Sequence, residues 1–111
     1  MKGKVPIDDH VPLNKADWHV LEHQGRIYSA TLNQTNVLNN NNKFYIIQIL
    51  QSDSNSNHCY FFTRWGRVGV PGQFSNVGVM PIGSAIAQFT TKLYEKNKKG
   101  DYREIDLNYG N

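Results

Sequence analysis

Two neighbouring runs of β-forming residues constrain the fold of this chain more than any other feature. The first run, KFYIIQILQ at residues 43–51, is apolar on both alternating faces, which is typical of a central strand covered on both sides. The second run, at residues 58–67, is aromatic and β-rich, and a polar turn cluster at residues 53–57 lies between them. Two such runs joined by a turn predict a β-hairpin, which we expect at the centre of a sheet.

Shorter patterns predict further strands around this hairpin. Alternating residues from Arg26 to Leu32 indicate a strand, and residues 73–80 follow a Pro-Gly turn and indicate a third hairpin strand. Residues 103–109 alternate again and predict a closing strand. The Asn-rich segment 33–42 is interpreted as a loop, because asparagine disfavours strands and helix interiors and tolerates turn geometry.

One segment changes to the helical period. Apolar residues recur at helical spacing on one face between Pro81 and Asn97, at Ile82, Ile86, Phe89 and Leu93. Gly83 or Ser84 is expected to cap the start, and Gly100 is expected to end the helix. Strands, then a helix, then a strand predict an α+β domain: a twisted antiparallel β-sheet with one helix packed on it.

The length allows one domain, with residues 1–24 as a flexible N-terminal lead-in and residues 25–111 as the folded domain. The lead-in contains Pro6, Pro12 and few periodic apolar positions.

No secretory signal and no apolar segment of membrane-spanning length is present, which favours a soluble intracellular protein without a membrane partner. The only cysteine, Cys59, lies in an apolar run and is expected to be a buried, inert thiol.

The net charge bears on nucleic-acid binding, and the motifs bear on catalysis. The net charge of +3 permits nucleic-acid binding without proving it. Glycine-rich phosphate or dinucleotide loops are absent from the sequence. His19 and His23 have ligand spacing, but only His58 or Cys59 could join them, so we expect no metal site. The chain is therefore predicted to be non-catalytic and to hold no cofactor.

The most informative motif is RWGRVG at residues 64–69. Trp65 and Arg67 are two apart and project from the same face of an extended strand. Gly66 between them leaves the opposite face bare, so another backbone can approach closely. An indole can stack on an exposed base or sugar and a guanidinium can bind a phosphate, which favours a DNA end, nick or single strand. The alternative is structural: Trp65 lies in the core and Arg67 pairs with an acid.

These residues belong to a wider resemblance. From about Tyr28 to Asn108 the chain resembles the WGR domain of DNA-dependent poly(ADP-ribose) polymerases. The matching segments are LNQTN at 32–36, NNNKFYIIQIL at 40–50, RWGRVG at 64–69 with GQ at 72–73, the helix at 85–96 and YREIDLNY at 102–109. The chain departs from the family between Asn97 and Tyr102, where a short bridge replaces a Trp-containing loop.

The resemblance implies a nuclear sensor of DNA breaks that binds a 5′-phosphorylated end. By position, Trp65 would stack on the terminal nucleotide. The residues that would surround the terminal phosphate and backbone are Asn42, Lys43, Arg67, Tyr102 and Lys96. It also implies contact with the helical and catalytic domains of a polymerase, through which DNA binding is relayed to ADP-ribosyl transfer from NAD. A protein-interaction module without DNA contact is the alternative.

Overall fold

The computed structural model describes residues 5–36, 41–99 and 102–105, and its centre is an antiparallel sheet with one helix against it. The strands are β1 Trp18–Val20, β2 Glu22–His23, β3 Arg26–Ile27, β4 Ser29–Asn36, β5 Asn41–Ser52, β6 Cys59–Arg67, β7 Gln73–Met80 and β8 Arg103–Ile105. The main sheet has the order β7-β6-β5-β4-β8, with β1 pairing the end of β5, whereas β2 and β3 form a separate pair. The predicted α+β class is confirmed.

The predicted central hairpin is formed by β5 and β6. Tyr45 lies opposite Trp65 and Leu50 lies opposite Tyr60 in the antiparallel register. Alternate residues of both strands enter different cores: Ile47 and Phe61 belong to one, and Leu50 and Phe62 to the other. The hairpin is therefore buried on both faces, which explains why its sequence is apolar at consecutive positions.

The helix α1, Ile82–Tyr94, covers one face of the sheet. Its side chains at the predicted helical spacing pack on the first core, together with the fully buried Ala85. The predicted cap at Gly83 or Ser84 is wrong, because Pro81 is the N-cap residue and supplies no side-chain bond. Instead, the Ile82 N–H donates to Asn57 Oδ1 at 3.1 Å, so the β5–β6 turn caps the helix.

The opposite face is covered by the N-terminal segment, where the structure differs from the predicted flexible lead-in. Val5 and Val11 are buried in the second core with Val20 of β1. We call residues 5–17 the strap, because they run across this face. Periodicity does not reveal such a segment, since isolated valines fill the core without forming a repeating pattern.

The Asn-rich segment contains more strand than its sequence predicts. β4 continues to Asn36 and β5 begins at Asn41, and these two residues are paired in the ladder. Backbone pairing outweighs the weak strand propensity of asparagine here; residues 37–40 lie outside the described part. In the closing strand, residues 103–105 are confirmed, whereas the predicted continuation to residue 109 and the helix stop at Gly100 lie outside it.

Candidate nucleic-acid interface

The end of the β5–β6 hairpin places four polar or aromatic side chains on the helix-covered face of the sheet. Lys43 lies directly opposite Arg67, and Tyr45 lies directly opposite Trp65. Because residues two apart in a strand project to the same side, these four form a square of two cations and two aromatic rings. The sequence prediction that Trp65 and Arg67 share a face agrees with this register.

The indole of Trp65 is partly buried and packs at the margin of the first core. It stacks on the Tyr45 ring with a centroid distance of 5.6 Å and an interplanar angle of 13°. This offset stacking is favourable for aromatic pairs and fixes the plane of the indole. Trp65 is therefore neither fully inside the core nor freely rotating, which is suitable for a preoriented stacking surface.

The guanidinium of Arg67 is exposed, and within the described residues it forms no ion pair with a carboxylate. Lys43, its partner across the ladder, likewise has no acidic partner there. Like charges directly opposite each other destabilise a strand pair. An anion bound between Lys43 and Arg67 would relieve this repulsion, so the charge at this strand end favours an anionic ligand.

Lys96 and Tyr102 are brought to the same place by a π-helical segment, Glu95–Lys99, that follows α1. The Tyr102 N–H donates to the Lys96 carbonyl at 3.0 Å, which closes the bridge between helix and last strand. Lys96 Nζ lies 4.7 Å from the centre of the Tyr45 ring, and the Tyr102 ring meets Tyr45 edge-on at 5.9 Å. The short bridge thus places both residues beside the Trp65–Tyr45 stack.

Tyr45 is the centre of this arrangement and was missed by the sequence analysis. Its position two residues after Lys43 is the signal that could have identified it. Burial raises the pKa of Tyr45, a hydrogen bond with Thr63 opposes that rise, and the charge of Glu95 adds to it. Burial and neighbouring Tyr45 also raise the pKa of Tyr102. Both phenols therefore stay neutral near pH 7 and do not repel a phosphate.

A groove of about 460 Å³ opens between the helix and the hairpin beside these rings. Its walls include Tyr45, Trp65, Lys96 and Tyr102, and Lys92 of α1 completes the rim. Lys92 also lies 3.7 Å from Glu95, so its charge is partly compensated. The groove extends the aromatic surface and offers ammonium groups along one side.

Asn42 is the one predicted site residue that lies apart from this group. It is exposed, and strand alternation directs its side chain to the face opposite Lys43. Its carbonyl accepts a hydrogen bond from the Val68 N–H at 3.0 Å, which ties the start of β5 to the β6–β7 turn. A direct role of the Asn42 amide in phosphate binding stays a prediction.

The close approach expected at Gly66 is made by the protein's own backbone. A Cβ at Gly66 would lie 2.8 Å from Gly72 Cα, and a Cβ at Gly72 would lie 2.2 Å from the Trp65 carbonyl oxygen. Gly72 also has φ of +80°, which favours glycine. These glycines let the β6–β7 turn fold back against the strand that carries Trp65 and Arg67, so the bare face at Gly66 is already occupied.

The histidine and cysteine candidates of the sequence lie apart from this group of residues. No cluster of three or more metal-ligating side chains occurs within residues 5–36, 41–99 and 102–105. His19 Nδ1 lies 2.5 Å from Asp53 Oδ1, and its Nε2 lies 2.8 Å from Gln51 Oε1. Cys59 is buried as expected, and burial raises the pKa of its thiol. No helix in the described part is long and apolar enough to cross a bilayer.

Comparison with known proteins identifies relatives along most of the chain. The model of the WGR domain family matches residues 28–108. The chain is 48% identical over 97 residues to poly(ADP-ribose) polymerase 2 of Zea mays, covering 86% of this chain and 15% of that protein. It is 38% identical over 99 residues to the human polymerase of the same name, covering 88% of this chain and 17% of that protein.

A third relative is the human protein mono-ADP-ribosyltransferase PARP3, 53% identical over 74 residues, covering 64% of this chain and 13% of that protein. The chain thus spans roughly one seventh of the length of the curated relatives it matches. The matched region contains the whole hairpin, the helix and the Trp65–Arg67 strand end. The chain therefore belongs to the WGR domain family.

Proposed function

We propose that this chain binds 5′-phosphorylated DNA ends and nicks and relays that binding to the catalytic domain of an ADP-ribosyltransferase. The single observation that carries the proposal is the pair of cations Lys43 and Arg67, which face each other beside the Trp65–Tyr45 stack and have no acidic partner among the described residues. Family membership supports the same conclusion, because the relatives are named as polymerases or transferases of ADP-ribose.

The proposed contacts follow from the chemistry of each group. Arg67 would donate two parallel hydrogen bonds to the terminal phosphate, while Lys43 would act as a point charge on the same group. Trp65 would stack on the terminal nucleotide, whose base or sugar is accessible only where the duplex ends or is nicked. Tyr102 and Lys96 would contact the adjoining backbone.

The interior of a duplex should make fewer favourable contacts with this site than a duplex end does. Its base faces are covered by their neighbours, so an indole gains stacking energy only at a terminus, a nick or an unpaired nucleotide. A phosphomonoester at a 5′ terminus also carries more charge than an internal diester, which strengthens its attraction to Arg67 and Lys43. Selectivity for phosphorylated ends would therefore arise from stacking and charge together.

The relay needs a protein surface in addition to the DNA surface. Large apolar side chains are about half exposed along the β6–β7 turn and strand β7, namely Val68, Val70, Phe74, Val77 and Val79. Large apolar side chains that are exposed at a surface can mark protein contacts. We propose that the helical and catalytic domains of a polymerase are the protein partner and that NAD binds there. The function would then be nuclear, and this chain would be non-catalytic.

The same exposed apolar side chains favour a second candidate, a protein-interaction module without DNA contact. In that case Trp65 and Arg67 would serve a protein partner. Retention of a partner after nuclease treatment, with no mobility shift of labelled DNA, would support this alternative.

A fluorescence titration distinguishes the two candidates. The chain is titrated into a labelled duplex with one 5′-phosphorylated end and, separately, into a matched duplex closed at both ends by hairpin loops. We expect tighter binding to the phosphorylated end. Equal affinity for both duplexes would contradict end recognition, and absence of binding to either would favour the protein-interaction candidate.

A further inference from the structure

The strap is joined to the proposed DNA-binding end of the sheet by a shielded ion pair. Arg64 Nη2 lies 2.9 Å from Asp8 Oδ2, and Arg64 Nε donates to both carboxylate oxygens at 3.1 and 3.2 Å. The side chains of Asp8 and Arg64 are only 8% and 15% exposed. Multiple charge-assisted bonds of this kind impose a specific geometry as well as an attraction.

Asp8 is held in place from its own side. Its N–H donates to Gln48 Oε1 at 3.0 Å, and the His10 N–H donates to Asp8 Oδ1 at 2.9 Å. Gln48 is a buried polar residue of β5 whose Nε2 donates to the Pro6 carbonyl and to Ser29 Oγ. The carboxylate is therefore anchored to the central strand and is not carried by a loose terminus.

Arg64 continues the connection into the strand end. Its Nη1 donates to the Pro71 carbonyl at 2.6 Å, and its Cζ lies 5.0 Å from the centre of the Phe44 ring. Pro71 precedes Gly72, whose backbone packs against the Trp65 carbonyl. One guanidinium thus links the strap to the turn that follows Arg67, from the face opposite the DNA-binding side chains.

We propose that Asp8 and Arg64 are positioning residues for the DNA end, setting the β6–β7 turn and the tilt of the strand that presents Trp65 and Arg67. The DNA part of this inference rests on the proposed function, whereas the effect on Trp65 does not. A buried ion pair is weak evidence for stability, because apolar residues of similar volume often stabilise as well or better. The pair is explained more directly by the geometry it imposes on the turn.

Simple electrostatic repulsion and a positioning role predict opposite changes in DNA affinity when the charge of Asp8 is removed. A carboxylate near a DNA-binding edge repels phosphate, so simple charge removal should strengthen binding. If Asp8 acts through Arg64, its loss should weaken binding. Asp9 supplies the matched control, because it carries the same charge, its side chain is 95% exposed, and its ion-pair partner is Lys15 at 3.5 Å.

The first experiment compares Asp8→Asn with Asp9→Asn in the full chain, using the duplex with one 5′-phosphorylated end. We expect Asp8→Asn to weaken binding by about three- to tenfold, a range typical of coupled neighbours. Asp9→Asn should leave affinity unchanged or slightly higher. In an Arg67→Ala background Asp8→Asn should weaken binding less than it does in wild-type protein, because the contribution of Arg67 is already lost, whereas a merely destabilising change would weaken binding equally in both.

The second experiment follows Trp65 without DNA. In a Trp18→Phe background, Trp65 is the remaining tryptophan, and acrylamide quenching reports the accessibility of its indole. Asp8→Asn should change the quenching constant and Asp9→Asn should not. If Asp8→Asn does not fold by circular dichroism, Arg64→Lys replaces it, because lysine keeps the charge but cannot bond Asp8 and Pro71 together.

The outcomes separate this inference from the proposed function. Altered Trp65 quenching together with weakened end binding supports positioning by Asp8 and Arg64. A folded variant with unchanged quenching, or with unchanged end affinity where wild-type protein binds, overturns it. If wild-type protein binds no DNA, the proposed function fails, and the quenching comparison still decides whether the ion pair orients Trp65.

Discussion

At the scale of single residues, Lys43 and Arg67 oppose each other in adjacent strands, and neither pairs with an acid in the described part of the chain. The sequence could indicate Arg67 as a candidate, because the Trp-Gly-Arg spacing places it on the face of Trp65. The family resemblance added Lys43, Lys96 and Tyr102, but their shared neighbour Tyr45 could not be recognised. Its role depends on strand register and on the closure of the bridge at Tyr102, which are long-range features.

Replacing Trp65 by alanine should remove the stacking surface. We expect binding to a 5′-phosphorylated duplex end to weaken by about 1–3 kcal/mol, the value of one base–aromatic stack. Trp65→Phe, which keeps an aromatic ring on Tyr45, should lose less. Both are measured by fluorescence anisotropy with labelled DNA after folding is checked. Unchanged affinity in a folded Trp65→Ala protein would remove the indole from the site.

Replacing Gly72 by alanine should destabilise the fold through a clash as well as backbone strain. A Cβ there would lie 2.2 Å from the Trp65 carbonyl oxygen, at φ of +80°. Gly69 is the matched control, because its φ is +101° but, apart from its two chain neighbours, no atom of the described residues lies within 4 Å of the added Cβ. Strain alone costs about 1–3 kcal/mol, so Gly72→Ala should lower the unfolding midpoint further than Gly69→Ala. If urea titrations gave equal losses of stability for the two variants, the turn would accommodate the Cβ at residue 72 without an additional energetic cost.

At the scale of elements, the sequence predicts what depends on local pattern. The hairpin of residues 43–67 and the helix were predictable, because period-two and helical spacings are visible in the letters. The strap was not, since its contacts join residues far apart in sequence, such as Asp8 and Arg64. The helix cap was missed for the same reason, because Asn57 reaches it from another turn.

The strap should lose its ion pair in acid. Burial alone would raise the pKa of Asp8, but the hydrogen bonds from Arg64 and His10 and their nearby charges outweigh it, so the pKa lies below the ordinary aspartate value of 3.8. A lowered folded-state pKa gives stability that is present above pH 3.8 and is lost as pH falls through the folded value. Urea unfolding should show this loss in wild-type protein.

Two variants check the assignment of that acid transition. In Asp8→Asn the loss of unfolding free energy below pH 3.8 should be smaller than in wild type, since the titrating group is gone. In Asp9→Asn, where the exposed neighbour is altered, the profile should match wild type. An identical pH profile in all three proteins would exclude Asp8 as the source.

At the scale of the whole molecule, the two faces of the sheet are covered by different elements. The strap and its core cover one face and the helix covers the other, which leaves the two ends of the hairpin accessible, the turn at residues 53–58 and the strand ends near Lys43 and Arg67. The net charge of +3 is small, so the proposed DNA affinity would depend on where the cations lie and not on their total number.

Salt dependence tests how many of these cations contact phosphate. If Lys43, Arg67 and Lys96 each neutralise one phosphate, a plot of the logarithm of the DNA-binding constant against the logarithm of the salt concentration should have a slope of roughly −2 to −3. Arg67→Ala should reduce the magnitude of the slope by about one. Lys15→Ala, an equal charge loss on the strap, should leave it unchanged. A slope near zero would contradict phosphate contacts by this surface.

The most direct measurement is a thermodynamic cycle of binding affinities in which Arg67 and the terminal phosphate of the DNA are each removed, singly and together. Affinities of wild-type and Arg67→Ala proteins are determined for duplex ends that carry a 5′-phosphate or a 5′-hydroxyl. If Arg67 binds the terminal phosphate, its removal weakens binding to the phosphorylated end far more than to the hydroxyl end. Equal losses on both ends would show that the guanidinium does not read the phosphate and would contradict the proposed site.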